Sequence, residues 1–156
     1  MDLLALAVLC GPLVDPSTTM RVIAVESAGH AYAVHDNTNG KTYDAASSRG
    51  AATVAGILLR AGHRIDVGLM QINYDAWLKP TRWSVERAVD PCMNIRLGTT
   101  ILSANYAHAL KRSGTSSEAL YRALSQYNSG SESASWNYAE RVLTGRKSMT
   151  LRRPGF

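Results

Sequence analysis

Residues 20–30, Met-Arg-Val-Ile-Ala-Val-Glu-Ser-Ala-Gly-His, are the stretch from which we infer the rest of the chain's organisation. The apolar run before Glu26 is typical of the last turns of a helix, and helical spacing puts Val22 and Ile23 on the same side as Glu26. A carboxylate at the end of such a face is either an exposed cap or a group held in an apolar pocket. In a pocket its pKa rises, and it can serve as a general acid near neutral pH. This stretch alone favours the exposed cap.

The chain's 156 residues, of which 46% are hydrophobic and 19% charged, suit one globular domain. Its net charge of +5 points to anionic partners in general, such as nucleic acid, anionic lipid or the acidic bacterial cell wall. The basic residues are scattered apart from pairs at 146–147 and 152–153. The sequence contains no recognition helix, zinc finger or aromatic-basic stacking platform. We therefore expect no nucleic-acid partner.

The two cysteines, Cys10 and Cys92, lack the short Cys/His spacings of a zinc site, and no metal site is predicted. They are either two buried thiols or one disulfide, which would require an oxidising compartment such as the periplasm.

Residues 3–14 are apolar and short enough for a signal-peptide core, but Asp2 precedes them and no small-x-small cleavage site follows. Interrupted by Gly11-Pro12, they cannot span a bilayer as a helix. We favour a first helix of the domain, with an unrecognised export signal as the alternative.

Capping signals and apolar spacing predict a mainly helical α+β fold. Asn39-Gly40, between two short extended runs, predicts one small β-hairpin over residues 31–44. Residues 68–73 show neither helical nor strand periodicity. We expect this segment to bury its apolar side chains and to direct its amides at a partner. Residues 144–156 are polar and basic and are predicted to be a flexible tail after a domain of residues 1–143. The predicted helices cover residues 3–10, 16–27, 48–61, 91–113, 116–128 and 133–143.

Four separated pieces carry a resemblance to a known family: Glu26-Ser27, Gly68-Leu69-Met70-Gln71-Ile72-Asn73, Gln126-Tyr127-Asn128-Ser129-Gly130 and Tyr138. Taken singly, each has an ordinary structural explanation as a turn, core or helix-face residue. Together and in this order they resemble the motif set of the soluble lytic transglycosylases, a family with a goose-type-lysozyme-like fold. The resemblance spans residues 26–138 and is most specific at 68–72. The short length, the early cysteine and Asp90-Pro91-Cys92 resemble the VirB1-type members, which serve type IV secretion and conjugation systems.

The resemblance implies a lysozyme-like helical domain with a Cys10–Cys92 disulfide and without a cofactor. It implies cleavage of the β-1,4 bond between MurNAc and GlcNAc in peptidoglycan. Most glycosidases need two carboxylates, whereas this family is understood to use one. Glu26 would protonate the leaving oxygen and then take a proton from the MurNAc 6-hydroxyl, which closes into a 1,6-anhydro product. The substrate's N-acetyl group would stabilise the positive charge.

By the same resemblance, Tyr127 would hydrogen-bond and orient Glu26. Met70 would form an apolar floor under a sugar ring, and Tyr138 would complete the wall of the site. Trp77 or Trp83 would either stack on sugars or simply pack. The remaining residues expected to bind substrate are polar: Ser27, Gln71, Asn73 and Asn128. The chain departs from the family pattern at Gln126 and Ser129, where alanines are usual, in the His63–Val67 stretch before Gly68, and in lacking a proline soon after Ser27.

The sequence therefore predicts a monomeric, periplasmic peptidoglycan lytic transglycosylase that opens the wall locally for a secretion or conjugation channel. Its partners would be glycan strands and channel proteins, and it would have no integral membrane span. Two alternatives stay open. One is a hydrolase on the same fold in which Asp66 or Asp75 activates a water, and the other is a wall-binding assembly factor with weak or lost catalysis.

Overall fold

Helices make up most of the computed structural model, which describes residues 2–145. All six predicted helices are present, and the largest differences from prediction are the end of α6 at Leu110 and the start of α8 at Trp136. Two further short helices and a π-helical turn, Tyr74–Leu78, lie between α3 and α6. The helices are α1 Leu3–Cys10, α2 Pro16–Glu26, α3 Ser48–Arg60, α4 Lys79–Thr81, α5 Val85–Ala88, α6 Pro91–Leu110, α7 Ser116–Ser129 and α8 Trp136–Thr144.

Local capping chemistry explains why the helices begin where they do. The Asp15 carboxylate accepts hydrogen bonds from the backbone N–H groups of Ser17 and Thr18, at 2.9 and 3.3 Å, immediately before α2. Thr115 Oγ1 accepts from the Glu118 N–H at 3.1 Å at the start of α7. Because these acceptors satisfy N–H groups that the first helical turn leaves unpaired, both starts could be inferred from the sequence.

The sheet is larger than the predicted hairpin. The hairpin is confirmed as β1 (Ala33–Asp36) and β2 (Lys41–Asp44), but β1 also pairs with β3 (Ile65–Val67), which pairs with β4 (Ile72–Asn73). All pairings are antiparallel, in the order β2-β1-β3-β4. At three and two residues, β3 and β4 are too short for an alternating pattern to show.

Within residues 2–145 the chain forms two compact units, which divide between Ile101 and Leu102. The first holds α1 to α5, the sheet and the beginning of α6, around a buried core that includes Val22, Ile23, Val34, Ile65, Leu69, Met70, Leu78 and Ile95. The second holds the end of α6 and the packed pair α7 and α8, with a core that includes Ala119, Ala123, Leu124, Tyr138 and Val142. The predicted tail falls outside the described residues from residue 146 onward.

A disulfide joins Cys10 at the end of α1 to Cys92 in the first turn of α6, with 5.2 Å between the two Cα atoms. The pairing implied by the family resemblance is confirmed. Gly11, next to the bridge, allows the close approach of the two helices. A Cβ there would lie 2.9 Å from Thr99 Cγ2 and 3.0 Å from Ile95 Cγ2.

Asp36 carries a buried charge in the central strand β1. Its Oδ2 lies 2.6 Å from His63 Nδ1, and its Oδ1 accepts from the Thr38 N–H at 2.9 Å. Burial alone would raise the pKa of Asp36, but the His63 and Thr38 hydrogen bonds and the nearby imidazole outweigh burial and lower the pKa. The pair connects β1 to the loop that enters β3.

Within residues 2–145, no helix combines the length and the apolar character that a membrane span requires.

Candidate active site

Glu26 is the last residue of α2 and is half-buried. Val22 and Ile23, one turn earlier on the same face, are 0% and 1% exposed. The carboxyl group therefore borders the apolar core of the first unit and still has solvent access.

Ser27 ends α2 and ties its end to the segment 68–73. Its N–H donates to the Ile23 carbonyl at 3.0 Å. Its Oγ donates to the Leu69 carbonyl at 2.8 Å and accepts from the Gly29 N–H at 3.2 Å. The hydroxyl that the resemblance assigned to substrate binding is thus bonded within the protein, where it holds Glu26 beside residues 68–73.

Within the segment 68–73, residues 68–71 form a tight turn between β3 and β4. Gly68 and Gln71 both have positive φ, +80° and 47°. The Gln71 N–H and its side-chain Nε2 both donate to the Gly68 carbonyl, at 3.2 and 2.8 Å. Gln71 therefore uses its amide nitrogen to close the turn, and its amide oxygen is not bonded by any other residue in the range 2–145.

The side chain of Asn94 on α6 holds this turn through hydrogen bonds. The sequence did not predict this role. The side chain is fully buried; its Oδ1 accepts from the Met70 N–H at 2.7 Å. Its Nδ2 donates to the carbonyls of Val67 and Ala88, at 3.0 and 2.7 Å. The available signal was a polar residue on the apolar face of the longest helix, since buried polar side chains are usually hydrogen-bonded.

Met70 packs beneath the turn and has 0% of its surface exposed. Its side chain lies so close to α6 that a Cβ at Gly98 would be 2.8 Å from Met70 Cβ and 2.9 Å from its Cε. A buried side chain offers no face to a sugar. Met70 instead supports the turn that carries Gln71.

Asn73 is engaged at both ends of its amide. Its Nδ2 donates to Asp66 Oδ1 at 2.7 Å, and its Oδ1 accepts from the Ala76 N–H at 2.9 Å, which caps the π-helical turn. Burial raises the pKa of the Asp66 carboxyl, against the opposing effects of hydrogen bonds from Asn37 and Asn73 and of the nearby His35 and Arg64. Asn73, predicted to bind substrate, thus holds the sheet edge to the following turn.

The second unit contains the other predicted residues. Tyr127 and Asn128 lie in the last turn of α7, half-buried and exposed respectively, and Tyr138 is buried on α8 with 3% exposure. Asn128 and Tyr138 line one open pocket of about 380 Å³. The predicted hydrogen bond from Tyr127 to Glu26 stays a prediction.

Hydroxyl groups hold the loop between α7 and α8. The buried Ser125 donates to the Ser131 carbonyl at 2.7 Å and accepts from the Ser135 N–H at 2.9 Å. Ser129 donates to the Ser125 carbonyl at 2.8 Å and accepts from the Ser131 N–H at 3.2 Å. Ser129, where the family usually has alanine, therefore contributes to the shape of this loop.

The two tryptophans weighed for sugar stacking differ in their surroundings. Trp77 is 41% exposed on the π-helical turn. Trp83 is half-buried, and the Arg87 guanidinium lies 4.2 Å from its ring centroid, which is cation–π packing.

The described part of the chain holds no group of three or more His, Cys, Asp or Glu side chains able to bind a metal ion.

Replacing Gly68 by alanine is expected to lower the free energy of unfolding by about 2–4 kcal/mol, since it adds a steric collision to backbone strain. An added Cβ would lie 2.6 Å from Asn94 Cγ and would displace the amide that holds the turn. Gly62→Ala is the matched control, because Gly62 has the same φ of +80° but open space around it. It should cost about 1 kcal/mol. Urea denaturation of both variants measures the difference, and equal losses would contradict the role of Asn94.

The family described as "Transglycosylase SLT domain" matches residues 6–147. "Protein virB1" of Agrobacterium fabrum is 36% identical over 121 residues, which are 78% of this chain and 49% of that protein. "Type IV secretion system protein virB1" of Brucella abortus is 33% identical over 129 residues, 81% of this chain and 53% of that protein. No solved structure matches significantly. The chain spans about half the length of the curated relatives it matches.

Proposed function

This chain belongs to the transglycosylase SLT domain family, and from that premise we propose that it is a peptidoglycan lytic transglycosylase. It cleaves the β-1,4 bond between MurNAc and GlcNAc and leaves a 1,6-anhydroMurNAc end. The observation that carries the proposal is Glu26, half-buried at the end of α2 and held beside residues 68–73 by the bond from Ser27 Oγ to the Leu69 carbonyl.

The proposed reaction needs one carboxyl group. Glu26 donates its proton to the glycosidic oxygen as the bond to the MurNAc anomeric carbon breaks, which releases GlcNAc with a free 4-hydroxyl. The Glu26 carboxylate then takes the proton of the MurNAc 6-hydroxyl as that oxygen bonds to the anomeric carbon. The enzyme is returned to its protonated state, and no water is consumed. The first step requires the protonated, proton-donating form of Glu26.

The surroundings of Asp66, one of the two aspartates considered as a water-activating base, favour this route over hydrolysis. A base that activates water must be ionised and free to accept a proton. Asp66 is bonded to Asn73 and has a raised pKa, which works against both requirements.

The other predicted residues divide into two proposed roles. Gln71 and Asn128 would bind sugar amides and hydroxyls, Tyr127 would orient Glu26, and Tyr138 would form a wall. Three others would act by holding the first group in place, because their polar atoms or surfaces are used within the protein: Ser27, Met70 and Asn73.

The proposed setting is the bacterial periplasm, where the enzyme would open a local gap in the wall for a type IV secretion or conjugation apparatus and contact its channel proteins. The name of the Brucella relative, a type IV secretion system protein, supports this setting. The net charge of +5 would favour contact with the acidic wall.

Mass analysis of the products from purified sacculi tests the reaction. Anhydro ends are one water lighter than reducing ends, so a lytic transglycosylase yields the lighter species alone. Reducing ends without anhydro ends would contradict the proposal in favour of a hydrolase. Binding to sacculi without any released product would favour the wall-binding assembly factor.

A further inference from the structure

An exposed tryptophan in the second unit is not used by the proposed reaction. Trp136 is the first residue of α8, and 42% of its surface is exposed. Its ring stacks on Tyr121 of α7, with ring centroids 5.5 Å apart and planes 24° from parallel. Because Tyr121 lies against one face of the indole, the exposed area of Trp136 lies on the rest of the side chain. The core of α8 is supplied by other residues: Tyr138, Ala139 and Val142.

Trp136 lines the same pocket of about 380 Å³ as Asn128 and Tyr138, two of the three predicted site residues in this unit. This volume lies within the range of small-molecule sites. Two further polar side chains, Asn137 and Arg141, complete the wall together with Ser133, Ala134 and Ser135. The described lining therefore contains amides, hydroxyls and one guanidinium, but no carboxylate.

This combination matches the chemistry of an N-acetylhexosamine ring. The axial C–H groups of a pyranose form an apolar face that packs on an aromatic ring, while its equatorial hydroxyl and acetamido groups require hydrogen-bond donors and acceptors at the edge. Trp136 offers the aromatic face. Asn128, Asn137 and Arg141 offer donors and acceptors beside it.

The pocket is also held in shape before any ligand enters. The buried Ser125 bonds both Ser131 and Ser135, at either end of the loop that forms one wall. Ser135 directly precedes Trp136. The hydrogen bond from the Ser135 N–H to Ser125 therefore fixes the start of α8, where the indole of Trp136 is attached. A wall ordered in advance lowers the entropic cost of binding.

We propose that Trp136, with Asn128, Asn137 and Arg141, forms a subsite for one N-acetylhexosamine ring of the glycan strand. The inference rests on the proposed function, since that function supplies the polymer. It assigns to Trp136 a substrate-binding role that the family motifs do not include.

Binding of GlcNAc oligomers tests the subsite, with every variant carrying Glu26→Gln so that no bond is cut. Trp136→Ala is expected to raise the Kd about tenfold, as the loss of one buried aromatic contact does. Trp136→Phe should recover most of the affinity. Leu110→Ala is the matched control, because Leu110 is 46% exposed in the same unit and does not line the pocket. Unchanged affinity in Trp136→Ala would overturn the subsite, and so would an equal loss in Leu110→Ala.

A second measurement keeps the subsite testable if Trp136→Ala folds poorly. The double variant Trp77→Phe, Trp83→Phe leaves Trp136 as the single tryptophan, since the chain has three. Titration with GlcNAc oligomers should then shift the fluorescence emission of Trp136 to shorter wavelength. The shift should saturate as the oligomer concentration rises. An unchanged spectrum at saturating oligomer would overturn the proposal.

The outcomes separate this inference from the proposed reaction. Anhydro products from the wild type together with unaltered binding by Trp136→Ala would remove only the subsite. Loss of binding in Trp136→Ala together with reducing ends from the wild type would leave the subsite and remove the transglycosylase.

Discussion

Replacing Glu26 by glutamine is expected to slow the solubilisation of sacculi by about 10²- to 10⁴-fold, the usual contribution of a positioned general acid–base. Glutamine keeps the size and the hydrogen-bonding capacity of the side chain but has no proton to donate to the glycosidic oxygen. Glu26 also acts twice in the proposed cycle, so the substitution blocks both proton transfers. The release of soluble muropeptides over time measures the effect.

Glu86→Gln is the control for this experiment, because Glu86 is an exposed residue in the first turn of α5. It should leave the rate unchanged. Glu26→Gln should retain the melting temperature to within a few degrees and should still bind sacculi, which separates a loss of chemistry from a loss of fold. A Glu26→Gln rate within tenfold of the wild type would show that another group supplies the proton.

Replacing both Cys10 and Cys92 by serine is expected to lower the free energy of unfolding by about 4 kcal/mol. The bridge joins residues 82 positions apart, and in the chain-entropy account a longer closed loop restricts the unfolded state more. For a chain of this length, such a loss corresponds to a fall in melting temperature of about 8–16 °C. Thermal unfolding followed by circular dichroism measures it.

Reduction provides the matched control for the disulfide. Dithiothreitol should lower the melting temperature of the wild type by a similar amount and should leave the double serine variant unchanged. Below both melting temperatures, the variant should retain its lytic activity, because the bridge lies between α1 and α6 and neither cysteine is among the proposed substrate-binding residues. A fall of less than about 2 °C would contradict a stabilising role.

The helices could be predicted because their signals are local. Asp15-Pro16 and Thr115 to Glu118 specify helix starts through hydrogen bonds that span two or three residues. Strands β3 and β4 carry no comparable signal. Each consists of two or three residues, and each is stabilised by a neighbouring strand rather than by its own sequence.

Glu26 could be proposed as the acid from order and spacing, since the separated motifs share one family pattern. The roles of its neighbours could not. Ser27 and Asn73 are polar residues in the expected places, but their side chains bond Leu69, Asp66 and Ala76 within the protein. A sequence shows that a hydroxyl or an amide is present and does not show which partner will bond it.

By itself, then, the sequence determined the helical class of this protein, the start of each main helix except α8 and, through the family resemblance, the cysteine pair, and it led to the proposal that Glu26 is the acid. Only the tertiary structure decided that Asn94 holds the turn at Gly68, that Met70 is buried against Gly98, and that Trp136 faces a pocket beside Asn128. The physical reason is the range of the interactions. Capping and helical periodicity act within a few residues, whereas burial and side-chain hydrogen bonding depend on groups that are distant in the chain and meet only in the folded protein.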